Sequence, residues 1–322
     1  MRKIVVMALV SLLSLAAPMA AQCQTWPTKP VKIVVGFPAG TSSDIIARIY
    51  AEKLAEHFKQ GFVVENMPGA ASSRAAGFVA RAEPDGYTLF LGTSANAVSQ
   101  STIKRLNFDF ASDFVAIATL GLAPTILVVN PALQINSVGD LIALARSKPE
   151  QVFYASAGVG TVPHLAGEMM NQIARVKMVH VPYKGNNEAM IDLIGGRIQA
   201  NFSPLPTVNE LMKAGKIKGL AVGSTARTTL APDLPTLAES GVAGFEAVIW
   251  YGYFAPKGTP VGVVNAINDV ITRVAATPEI KSRLAVNGAD PLNLTPDAFA
   301  AFVNDDIGKW RKIVQGSGAS ID

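Results

Sequence analysis

Gly36-Phe37-Pro38-Ala39-Gly40-Thr41-Ser42-Ser43-Asp44 joins the apolar run Val31-Lys32-Ile33-Val34-Val35 to a segment whose apolar residues, Ile45, Ile46, Ile49, Tyr50, Leu54 and Phe58, recur at helical spacing. The first stretch reads as a strand and the last as a helix over 44–58. A strand that empties through small residues into a helix start leaves several backbone N–H groups unpaired, and the helix dipole adds partial positive charge there. Such a turn suits an anion, whether phosphate or carboxylate. Thr41, Ser42 and Ser43 supply a hydroxyl expected to cap the helix and to reach a bound anion, and Asp44 is expected to tether the first turn.

Working outward, short β-rich runs (31–35, 62–65, 88–92, 126–130, 152–156, 177–182, 197–202 and 218–223) alternate with helical patterns at 44–58, 71–81, 138–148, 163–173, 187–194 and 208–214. The alternation predicts parallel sheets with crossover helices, which bind ligands at the carboxyl ends of their strands. The stretches 261–276, 278–287 and 295–315 read as helices. Segments 126–131 and 247–256, the second rich in aromatics (Trp250, Tyr251, Tyr253, Phe254), look like crossings between two lobes.

The strand-turn-helix construction recurs at Tyr154-Ala-Ser-Ala-Gly-Val-Gly-Thr-Val-Pro163, where Gly158 and Gly160 permit a tight turn, Thr161 caps and Pro163 fits the first helical turn. His164 follows. A third strand end, Val179-His-Val-Pro-Tyr-Lys-Gly185, leads to a helix opened by Asn186 and Asn187. His180 between two valines reads as a satisfied core residue, His57 as surface, and Lys184 as a solvated charge beside Tyr183.

The first 23 residues have a basic start (Arg2, Lys3), an uncharged stretch from Ile4 to Ala17 and small residues near Cys23, the pattern of a secretory signal peptide cleaved near 20–24. The single cysteine excludes an intrachain disulfide, so the fold rests on its core, and 49% hydrophobic residues in 322 supply one. Removing Arg2 and Lys3 leaves 26 basic against 24 acidic residues, scattered singly, which gives no nucleic-acid footprint. The three histidines lack metal-ligand spacing, and neither a Gly-x-Ser-x-Gly elbow nor a phosphate-loop or dinucleotide glycine motif occurs. Binding without chemistry, without cofactor or metal, is the expectation.

Many short motifs in one order carry a resemblance: Trp26-Pro27-x-Lys29-Pro30, Phe37-x-x-Gly40-x-x-x-Asp44, Val64-Glu65-Asn66-x-Pro68-Gly69-Ala70, Pro84-Asp85-Gly86-Tyr87-Thr88-Leu89, Leu91-Gly92-Thr93-Ser94, Tyr154-Ala155-Ser156-Ala157-Gly158, His164-Leu165-Ala166-Gly167-Glu168, His180-Val181-Pro182-Tyr183-Lys184-Gly185 and Leu234-Pro235-Thr236. From Trp26 onward the chain resembles the Bug (TctC-type) solute receptors of tripartite tricarboxylate transporters. The resemblance implies an α/β, type II periplasmic binding-protein fold. Two lobes (24–125 plus 247–322, and 126–246) would be joined by two crossing strands around a ligand cleft. It implies a periplasmic monomer that hands a small organic carboxylate to membrane permease subunits. The implied ligand contacts are Phe37, Ala39, Gly40, Thr41, Ser42 and Ser43, with Ser94, on one side, and Ala157, Gly158, Thr161 and His164 opposite. Tyr183, Ser203 and Pro204 would border the cleft.

Two departures stand out. Glycines common in the family are replaced here by Thr41 and Ser42, and Ala71, Ser72, Ser73 and Arg74 stand where a glycine pair, Asn and an apolar residue are usual. Arg74 would meet a second acidic group on the ligand. A di- or tricarboxylate fits this reading, as does an aromatic carboxylate such as terephthalate with Phe37 or Trp250 stacked on its ring. Two rivals share the residues: an exported hydrolase using Ser156 or Ser94 with His164, and a ligand sensor feeding a two-component system.

Overall fold

The computed structural model describes residues 26–183 and 185–319; the expected signal peptide, Cys23 and Lys184 lie outside them. Three parallel strands, β1 (Val31–Val35), β2 (Phe62–Asn66) and β3 (Thr88–Thr93), form one edge of the molecule in the order β2-β1-β3. A second parallel set, β5 (Phe153–Ser156), β6 (Val179–Pro182) and β7 (Ala200–Pro204), forms the other. Between them run β4 (Phe114–Val129) and β9 (Val248–Pro256), antiparallel to each other and to their neighbours, while β8 (Lys218–Val222) pairs only with β4.

β4 changes partners along its length. Residues 114–124 pair with β9, and residues 125–129 pair with β7 and β8. Pro124, which has no N–H to give, stands at the change, and Gly121 leaves room for the Asp290 carbonyl, 3.2 Å from where a Cβ would be. The expected strand at 126–130 is therefore only the tail of a 16-residue one. Gly121 and Pro124 mimic strand breakers in sequence because they sit where the two lobes meet.

The helices are α1 (Ser42–Phe58), α2 (Ser73–Val79), α3 (Ser94–Thr102), α4 (Val138–Ser147), α5 (Val162–Ala174), α6 (Asn186–Ile194), α7 (Leu205–Lys213), α8 (Val261–Ala275), α9 (Pro278–Val286) and α10 (Pro296–Ser317). Periodicity does not reveal α3, which is buried nearly all round and carries Ser94, Asn96, Ser99 and Thr102 beside the apolar Ala97 and Val98. Its signature is the reciprocal cap in which Thr93 accepts from Ala95 N–H and Asn96 accepts from Thr93 N–H.

The first lobe carries β1–β3, β9 and the front of β4; the second carries the rear of β4 with β5–β8. One core lies under α1 and α8, built on Ile33, Ile46, Leu89 and Ile267. Another, on Ile126, Ala189, Leu193 and Val208, lies under α6 and α7. The largest runs through both lobes, joining Phe90, Phe110 and Trp250 to Leu165, Met169 and Phe202 through Trp310 and Ile313 of α10. Gln172 of α5 donates to the Ile313 carbonyl at 3.1 Å, so the C-terminal helix straps the two lobes together.

Candidate functional site

β1 delivers the chain to Gly36, where a Cβ would lie 1.9 Å from Ser72 Oγ; the serine of the neighbouring loop occupies that space. Gly40 turns the backbone at φ +81° and α1 begins. Thr41 is its N-cap residue, but the expected hydroxyl cap is absent, because Thr41 Oγ1 donates instead to the Pro38 carbonyl at 2.8 Å. The buried Asp44 carboxylate holds the loop. It accepts from Gly40 N–H at 3.0 Å, from Arg48 Nε at 3.0 and 3.1 Å, and from Asn66 Nδ2 at 2.9 Å, and Asn66 also donates to the Phe37 carbonyl. Burial alone would raise the Asp44 pKa, but the hydrogen bonds from Arg48, Gly40 and Asn66, with the Arg48 charge, outweigh it and hold the group below its ordinary value.

Across from this loop a cleft of about 710 Å³ opens, lined by Gly40, Thr41 and Ser42 on one wall, by Gly185–Glu188 and Pro204, Pro206 and Thr207 on the other, and by Tyr251. Three helix starts meet there: α1, α6 and α7. None of the three has a side-chain cap. By contrast Thr93, Ser137, Thr161, Thr277 and Thr295 cap α3, α4, α5, α9 and α10. Uncapped N–H groups and three dipole ends therefore converge on one cavity whose size is ordinary for a small-molecule site.

Two expectations change here. The turn Ala157–Thr161 at the start of α5, where Thr161 caps as expected, packs beside Tyr183 and is not among the residues that line this cleft. Nor does Trp250 face a ligand. It is fully buried, with its indole N–H donated to Asp306 at 2.8 Å, and alternation along β9 presents Tyr251 to the cleft instead. Burial pushes the Tyr251 phenol up to about 12, against a hydrogen bond with Ser42 that lowers it, so the hydroxyl stays protonated and can donate. Strand parity at 248–256 puts Trp250 and Tyr251 on opposite faces without saying which meets the cleft, and Asn187, Pro206 and Thr207 carry no sequence signal.

Other candidates are committed elsewhere. Tyr183 donates to Asp192 at 2.7 Å, and the fully buried Ser203 donates to Asn201 at 2.6 Å. Ser43 and Ser94 are buried at their helix starts, Phe37 packs against the core of the first lobe, and Ala39 is exposed. His164 is buried, accepts from Gly160 N–H at 3.1 Å and stacks on His180 at 3.9 Å between centroids.

Ser156 meets His180, not His164, at 2.7 Å, and is itself fully buried. Burial lowers the His164 pKa to about 4, and burial with the neighbouring His164 lowers that of His180 to about 3. A base so weak cannot activate a serine near neutral pH. An unfolded histidine takes its proton near 6.5, so between about 4 and 6.5 the unfolded chain binds more protons than the folded one. Stability is complete above 6.5 and is expected to fall by on the order of 3 kcal/mol for each histidine by pH 4, read from urea midpoints. Replacing both histidines by glutamine should flatten that slope; an unchanged slope would place the acid sensitivity elsewhere.

Beside the first loop, Ala70, Ala71 and Ser72 take φ values of +47°, +48° and +73°, a left-handed run without a glycine. Each such residue costs roughly 1 kcal/mol. Ala71→Gly is therefore expected to raise stability by about 1 kcal/mol in denaturant unfolding, and a loss would mean that the methyl contact outweighs the strain. The exposed Arg74 follows this run and has no hydrogen-bond or ion-pair partner among the described residues.

With this geometry in view, residues 46–319 match the family model described as the tripartite tricarboxylate transporter family receptor. Protein BugT of Bordetella pertussis is 33% identical over 309 residues, covering 95% of this chain and 94% of its own. Among solved structures, an R. palustris protein with adipate is 33% identical with a TM-score of 0.78, covering 92% of this chain and 99% of its own. MatC from Rhodopseudomonas palustris with bound malate is 28% identical with a TM-score of 0.74, covering 90% and 100%. The chain belongs to the tripartite tricarboxylate transporter receptor family and is a Bug/TctC-type binding receptor, not an enzyme.

Proposed function

We propose that the protein captures a small organic carboxylate in the periplasm and delivers it to the permease of a tripartite tricarboxylate transporter. The observation that carries this reading is the convergence of three uncapped helix starts on the 710 Å³ cleft. The carboxylate sits between Thr41-Ser42 and the first turns of α6 and α7, with Tyr251 donating from the floor. Peptide dipoles take the place of a neutralising cation. One dipole contact contributes roughly 1 kcal/mol, whereas micromolar affinity needs about 8, so both walls must engage the ligand. The adipate and malate held by the two relatives support a dicarboxylate, and Arg74 is the group we assign to the second acidic end.

Ligand closes the lobes about hinges at Pro124-Thr125 and Ala247-Val248, dividing the chain into 24–125 with 247–322 and 126–246. The three residues Thr125, Gly223 and Ala247 are knitted there by backbone hydrogen bonds of 2.7–3.3 Å. Calorimetry against mono-, di- and aromatic carboxylates tests the reading. Arg74→Gln should weaken dicarboxylates at least fivefold more than monocarboxylates. Stabilisation by a sugar or a cation, and by no carboxylate, would overturn it.

A further inference from the structure

Where the lobes face each other beside the cleft, the turn after α9 makes two contacts that the ligand loops do not. Gly288, at φ +66°, lies directly against Pro206: a Cβ there would be 2.2 Å from Pro206 Cγ and 3.2 Å from its backbone nitrogen. Pro206 is itself a wall of the ligand cleft, so one face of the ring meets the ligand space and another meets the opposite lobe. Two residues on, the Asp290 carboxylate accepts from Thr228 Oγ1 at 2.6 Å and from Thr229 Oγ1 at 2.9 Å, both on the second-lobe loop that follows β8. Asp290 is fixed in turn to the first lobe, exchanging backbone hydrogen bonds with Leu122 of β4 at 2.8 and 2.9 Å.

We propose that Gly288 and Asp290 are positioning residues that set the spacing of the cleft walls, and thereby the length of carboxylate the receptor holds. The proposal rests on the carboxylate reading above. Gly288 is a stop with no side chain: it allows Pro206, and with it the start of α7, to approach the first lobe as closely as backbone contact permits. Asp290 is a tie that keeps the second lobe from swinging away from that stop. The pair fixes a distance from both directions, which neither contact alone would do. A Cβ 2.2 Å from a proline ring atom and 3.2 Å from its backbone nitrogen has no flexible side chain to displace, so one added methyl must move the wall.

Two substitutions should act in opposite senses. Gly288→Ala wedges Pro206 outward and lengthens the preferred ligand; Pro206→Ala removes the ring and lets the walls approach. Across the linear dicarboxylates from malonate to adipate, the ratio of adipate to succinate affinity should rise at least fivefold in Gly288→Ala. Asp290→Asn, which still pairs with both threonines, should keep the wild-type ratio, whereas Asp290→Ala should flatten the length preference. A purely structural role would lower all affinities in parallel. The same variants carry a second readout independent of ligand, the interlobe distance distribution between spin labels at Lys59→Cys and Lys216→Cys in a Cys23→Ser background. The distance should lengthen in Gly288→Ala and shorten in Pro206→Ala. Unchanged distances with parallel affinity losses would overturn the inference. If the wild type bound no dicarboxylate, the carboxylate reading would fall while the distances still decided this one.

Discussion

Replacing Trp250 with alanine is expected to remove about 4 kcal/mol of folding stability, the usual cost of emptying a tryptophan-sized space in a core. The indole is fully buried, edge-on to Phe299, stacked with Phe110 and tilted against Phe254, and its N–H feeds the carboxylate of Asp306. Asp306 is buried too, which raises its pKa against the pull of Lys309 at 2.7 Å. Losing the indole thus leaves a cavity and an acidic group short of a donor. Trp250→Phe keeps most of the ring and forfeits mainly the hydrogen bond, so about 1–1.5 kcal/mol is expected. Guanidinium unfolding measures both. Carboxylate affinity of the folded alanine variant should stay within threefold of wild type; a protein that kept its stability but lost aromatic ligands would put the indole in the cleft after all.

Asp44→Ala should be nearly as costly and should also disable binding. The carboxylate is the knot of the first loop, and charge-assisted hydrogen bonds of this kind are each worth about 1.5–3 kcal/mol. Arg48, half exposed, can turn to water when the acid is gone, but Gly40 N–H and Asn66 lose the partner that shapes the turn. A loss of about 3 kcal/mol and at least a tenfold drop in affinity are expected, by urea unfolding and calorimetry. Asp44→Asn should recover part of the stability because an amide oxygen still accepts from Gly40. Since the folded carboxyl titrates below its unfolded value near 3.8, its contribution is present above that pH and is lost as acid titrates the folded group. Normal affinity in Asp44→Ala would show that the loop keeps its shape without the acid.

These residues also show what a sequence does and does not disclose. The strand-loop-helix at 31–58 is legible because apolar period and small residues change register at the same place, and Asp44 as tether follows from its first-turn position. Thr41 misleads: a hydroxyl at an N-cap position suggests capping, yet a carboxylate three residues on reaches the loop first. Trp250 and Tyr251 are indistinguishable by composition, and only the pairing of β9 with β3 and β4 decides which faces the cleft. Gly288 and Asp290 are silent in sequence because their partners lie 82 and 61–62 residues away. Local pattern reports what a segment does alone, and a cleft is made by segments that are not neighbours in the chain.

The partner change along β4 has a bearing on how the molecule is built. Every strand of the second lobe has been made by residue 222, whereas β9, which lies between β3 and β4 in the first, begins only at residue 248. A chain emerging from its N-terminus therefore holds all the strands of the second lobe while the first still lacks a central one, with both edges of that gap unpaired. Until the last 75 residues arrive, β3 and the front of β4 are open strand edges, and it is there that a growing chain most needs shielding from its neighbours.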